Sequence, residues 1–212
     1  MGEFAGFRDE ALDFYDDLEA DNTKTFWAAN KHRYDEFVAA PMKALAAELT
    51  EEFGETKIFR PYRDVRFSKD KTPYKTHQGL FVPRGPSTGY YVQIGPPGIE
   101  VAVGFYGASP ARLATFRDAI VNDLHGPELE QILEQLESVG WKRTGERLKT
   151  HPRGYDPEHP RIELLRHKSL SVRRERGFGP DVIGTPDLVD VIRADWREAT
   201  VLTDWVIAHA KD

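Results

Sequence analysis

The chain has 212 residues, a formal charge of −6, 40% apolar and 11% aromatic side chains, and no cysteine. Such a composition predicts a soluble globular protein with a sizeable core, and excludes a disordered chain, disulfides, thiolate nucleophiles and Cys-ligated metal. No apolar run approaches the roughly 18 residues of a membrane helix, and the acidic start has no apolar signal-peptide core, so a cytoplasmic protein is expected.

Residues 8–20 set Ala11, Phe14, Tyr15 and Leu18 at helical spacing. Asn22 or Thr23 can cap a second helix whose apolar stripe is Trp27, Tyr34, Phe37 and Val38. On that helix Asn30 and Lys31 stand within one turn of Trp27 and Tyr34 and are candidates to face a ligand. Pro41 marks a break or the first turn of a third helix, which runs through Leu45 and Leu49 and stops at Gly54.

From His77 the apolar period changes from 3.6 to 2. Leu80 and Val82, then Tyr90, Val92 and Ile94, then Ile99, Val101, Val103 and Phe105 alternate as strands. Gly95-Pro96-Pro97-Gly98 turns one strand onto the next, and a second reversal is expected to start at Pro83-Arg84-Gly85-Pro86. Ser109-Pro110 opens a helix carrying Leu113, Phe116, Ile120 and, at its end, Leu124; another runs from Pro127 to Val139. A proline-punctuated loop over 150–160 precedes a strand through Leu170 and Val172, and Thr185-Pro186 starts a long last helix. The pattern predicts one α+β domain over residues 1–212, an antiparallel β-sheet meander covered by N-terminal, central and C-terminal helices.

Charge is not spread evenly. Lys57 to His77 holds seven basic side chains against Asp64 and Asp70, with Phe59, Tyr62, Phe67 and Tyr74 interleaved. Trp141 to Arg176 holds eleven against five, and the rest of the chain is acidic. Two positive islands in an acidic frame suit a small anionic ligand bearing phosphate or carboxylate, because the frame repels a long polyanion. The other reading is that both islands are ion-paired within the fold.

The ligand-binding candidates are Arg60, Arg63, Arg66, Ser68, Lys69, Lys71, Tyr74, Lys75, Arg153, Tyr155 and Lys168, with Asn30 and Lys31. In an extended segment Asp64 shares a face with Arg66 and can hold it by a charge-assisted bond. The turn from Ser68 to Pro73 offers hydroxyls and backbone N–H groups to an anion. His77, Asp64 and His159 are the candidates for proton transfer. His151, Asp156, Glu158 and His159 have no metal-specific spacing, so no metal or cofactor is assigned. There is no Walker motif, dinucleotide fingerprint or nucleophile elbow. Whether a reaction takes place at all stays open, and a nucleic-acid-binding module and a partner-binding domain remain as alternatives.

Three blocks together resemble a known family. They are Asn22 to Trp27 with Asn30, Lys31 and Tyr34; Tyr62-Arg63-Asp64-Val65-Arg66-Phe67-Ser68-Lys69-Asp70-Lys71-Thr72-Pro73-Tyr74-Lys75-Thr76-His77; and Pro152-Arg153-Gly154-Tyr155-Asp156-Pro157-Glu158-His159-Pro160. The likeness is to domain of unknown function family 2461, found in bacteria and fungi, and covers nearly the whole chain. The family pattern reads Trp-Phe where this chain has Phe26-Trp27. The resemblance implies a single family-wide domain and a bacterial source, and it implies no reaction.

Overall fold

A computed structural model describes residues 3–66, 69–177 and 182–211. Helix α1 (Asp9–Ala20) buries Ala11, Phe14, Tyr15 and Leu18, the stripe its spacing requires. Thr23 caps α2 (Lys24–Arg33) by accepting from the Phe26 N–H at 3.1 Å. The chain then passes without a stop through a π-helical turn (Tyr34–Ala39) into α3 (Ala40–Phe53). Pro41 explains that turn. It has no N–H to give residue 37 and its ring crowds that carbonyl, so the turn widens and Ala40 N–H reaches back to Asp35 O. Gly54, at φ 97°, ends α3.

The strands are β1 (Lys57–Ile58), β2 (Gln78–Gly85), β3 (Thr88–Gly95), β4 (Gly98–Phe105), β5 (Lys142–Thr144) and β6 (Leu170–Gly177). They form an antiparallel sheet in the order β1-β2-β3-β4-β6-β5. The α+β class and the meander through β2, β3 and β4 are as the alternation requires. The first reversal falls later than expected: β2 runs through Pro83 to Gly85, and the turn is made at Pro86 and Ser87, whose φ is 58°.

Ser109 caps α4 (Pro110–Val121) through the Arg112 N–H at 3.1 Å. Leu124 does not belong to that helix. Asn122 accepts from the Leu124 and His125 N–H groups and starts α5 (His125–Ser138), leaving Leu124 79% exposed. A short α6 (Ile162–Leu165) and the long α7 (Leu188–His209) complete the helices.

By compactness the chain divides into two units. One comprises Met1–Val82, Tyr91–Val101 and Glu175–Ala194; the other comprises Pro83–Tyr90, Ala102–Arg174 and Asp195–Asp212. The first buries Phe7, Phe14, Leu18, Trp27, Val38, Met42 and Leu49, and the second buries Phe105, Phe116, Leu133, Trp141, Trp196 and Leu202. Among the described residues no helix is long and apolar enough to cross a membrane.

Candidate functional site

The first basic stretch folds as an irregular hairpin on the edge strand of the first unit. Lys57 and Ile58 pair with Phe81 and Leu80, and Tyr62 pairs with Tyr74. Arg63 N–H donates to Pro73 O at 2.9 Å and Lys75 N–H to Pro61 O at 2.8 Å, so both prolines supply only the carbonyls they have. Between these pairings the return strand carries two extra residues, and Lys75, Thr76 and His77, each partly buried, lie in that bulge.

Side chains from the α1–α2 segment, the π-helical turn and β2 hold the hairpin around that bulge. Gln78, buried, donates to Phe59 O at 2.6 Å and accepts from the Tyr34 hydroxyl at 2.6 Å. Burial pushes the Tyr34 hydroxyl up to about 12, so it stays a donor at neutral pH. Asn22 presents both ends of its amide to the Tyr74 backbone, at 3.0 and 3.1 Å. Trp27 stacks on Tyr74 with ring centroids 4.2 Å apart and planes within 6°, while Tyr62 packs against both rings. Tyr62 and Tyr74 therefore form, with Trp27, the floor of the hairpin, and Phe67 lies outside the described residues.

Both acidic residues of the stretch shape its loop. Arg66 grips the two oxygens of Asp64 at 3.0 and 2.7 Å, and its own N–H adds a third bond. That grip holds the Asp64 carboxyl below the usual carboxylate range. Asp70 is ion-paired with Arg63 and takes the N–H and hydroxyl of Thr72 at 2.9 and 2.7 Å, so those turn donors are already spent on an internal carboxylate. Lys71 reaches Val65 O at 2.8 Å. Ser68 lies outside the described residues.

What is left is positive. Arg60, Lys69 and Lys75 pair with no carboxylate among the described residues. Lys75 instead stands 5.2 Å from the Phe59 ring centroid. Partial burial, then Arg60 and Arg63, lower its pKa. Burial, then Lys75 and Arg63, also lower the pKa of His77, which keeps the imidazole neutral. Arg63 Nε is buried without a hydrogen-bond partner. Lys75 is thus repelled by Arg60 and Arg63, and Lys75 and Arg63 face the neutral imidazole of His77. Asn30 and Lys31 are used on their own helix, Asn30 donating to Phe26 O at 3.0 Å and Lys31 pairing with Asp35.

Six cations of the second basic stretch, all in the second unit, face carboxylates. Arg143 pairs with Glu137, Arg147 and Arg166 with Glu163, Arg161 with Glu130, Lys168 with Glu146, and Arg174 with Asp195 and Glu198. Tyr155 donates to Asp118 at 2.8 Å, and burial together with that carboxylate pushes its hydroxyl up to about 12. His159 Nδ1 accepts from the Arg161 N–H at 3.0 Å. Arg153 is exposed.

Sequence reasoning missed Gln78 and the pairing role of Asn22. A buried amide at the head of an alternating strand was the available signal for Gln78, since such a group must find partners. Nothing local distinguishes Asn22 from a helix cap. A family model described as Conserved hypothetical protein (DUF2461) matches residues 10–205 of the chain. No curated protein matches it.

Proposed function

The chain belongs to the DUF2461 family, and we propose that this member binds a small phosphate- or carboxylate-bearing ligand on the basic hairpin of its first unit. Arg60, Arg63, Lys69 and Lys75 form the grip, Arg66, Lys71 and Tyr74 flank it, and His77 is the group able to exchange a proton with the ligand. Arg153, exposed in the second stretch, is a further cation for an anion to meet.

The observation that carries the reading is the repulsion at Lys75: its ammonium sits beside Arg60 and Arg63, with no carboxylate among the described residues set against it. A bound anion removes that repulsion and gains charge-assisted bonds from the same groups. The six ion-paired cations of the second stretch support placing the grip on the first.

The test is thermal unfolding of the whole chain in sulfate, phosphate or a mononucleotide, beside chloride at equal ionic strength. Stabilisation that saturates with phosphate is expected. It should disappear in a Arg60→Ala/Lys75→Ala variant and weaken in Arg66→Ala, whose own melting temperature stays at the wild-type value because its guanidinium is exposed. A polynucleotide groove would instead bind oligonucleotides with a log–log salt slope of roughly −0.7 to −0.9 per phosphate contact. Tight oligonucleotide binding of that kind, or no specific response to phosphate, defeats the proposal.

A further inference from the structure

The second unit holds a group of side chains that the anion reading does not use. Helix α5 opens with His125 and carries Glu128 three residues on, so both project from one face of its first turn. Helix α7 ends at His209. The His125 and His209 rings stack with centroids 3.8 Å apart, and His209 Nε2 lies 3.2 Å from a Glu128 oxygen. One donor atom from each of the three residues lies within 4.8 Å of the other two.

Backbone bonds fix this arrangement and leave ring nitrogens to spare. Asn122 anchors the start of α5 through the His125 N–H at 3.1 Å, and the Trp205 indole donates to His125 O at 2.9 Å. Trp205 also packs on the His209 ring, at 5.5 Å between centroids. The ring nitrogens of His125 bond to nothing among the described residues. Beside the two rings opens a cavity of about 300 Å³ whose lining includes Thr115, Asp118 and Asn122.

We propose that His125, Glu128 and His209 bind a divalent transition metal of the zinc class, with one coordination position open to this cavity. Two imidazoles and a carboxylate are borderline and hard donors in the number that such an ion takes from protein when it keeps a place for water. Bonds of about 2.0–2.2 Å to such donors need the three atoms a little over 3 Å apart, a closure that side-chain rotation supplies. The carboxylate balances part of the charge. This inference rests on none of the observations behind the anion site.

The experiment is equilibrium dialysis of the whole chain against zinc chloride with metal analysis, alongside cobalt(II) binding followed by its visible absorption. One equivalent per chain is expected, with cobalt bands showing nitrogen and oxygen ligation. His125→Gln, His209→Ala and Glu128→Gln should each weaken zinc binding at least about tenfold, as loss of a ligand costs more than loss of a supporting group. His151→Ala, at an exposed histidine of the same unit, should bind as the wild type does. Circular dichroism reports folding, and Glu128→Gln, at an exposed carboxylate, carries the test if a histidine variant unfolds. A wild-type chain that keeps no zinc overturns the proposal, and so do folded ligand variants that keep it undiminished.

Discussion

Replacing Tyr34 by Phe tests how the bulge beneath Lys75 and His77 is held. The ring stays, so its contacts with Trp27 and Phe14 persist; only the hydroxyl that bonds Gln78 Oε1 at 2.6 Å is removed. Gln78 is 1% exposed and Tyr34 7%, so water does not take over the lost bond. An unsatisfied buried acceptor costs about 1–3 kcal/mol, and Tyr34→Phe should lose that much in urea unfolding followed by tryptophan fluorescence. Gln78→Met strands the Tyr34 hydroxyl and Phe59 O together, so its loss should be larger, about 2–5 kcal/mol. In the double variant the hydroxyl no longer exists to be stranded. The two losses should therefore fall short of additivity by about 0.5–3 kcal/mol. Strict additivity, or a loss in Tyr34→Phe below about 0.5 kcal/mol, would refute the bridge as the element that holds the bulge.

The folded chain keeps His77 below its ordinary pKa, so the unfolded chain takes up the proton first. Stability is then complete above about 6.5 and is lost as pH falls through the folded value. The urea midpoint should drop across that window, and His77→Gln should remove part of the slope. His167, which burial lowers in the same direction, adds to the slope; an unchanged slope in His77→Gln rules out this account. Gly98→Ala should cost more than about 2 kcal/mol, because φ is +93° and a Cβ would sit 2.1 Å from Gly177 O. Gly107→Ala, with φ +59° and open space around it, should cost only about 1–2 kcal/mol, and equal losses at the two sites would contradict the close approach at Gly98.

All the helices except the short α6, and the β2–β4 meander, were legible from the chain because their signals are local. Caps at Thr23 and Ser109, the glycine stop at Gly54 and the turn at Gly95 to Gly98 each act within a few residues. The family likeness was equally local, since its central block is contiguous. Charge segregation was visible as composition, but its meaning was not. Six cations of the second stretch find carboxylates on α5, α6, α7 and the neighbouring loops, whereas among the described residues Arg60, Lys69 and Lys75 do not, and only the folded chain makes that difference. Strands β1 and β5, of two and three residues, are too short to show a period and exist because β2 and β6 offer them edges. His125 and Glu128 meet His209 from a distant part of the sequence, through the docking of Trp205 on the start of α5. Such contacts depend on which long loops the packed core closes, and no neighbour-to-neighbour pattern records them.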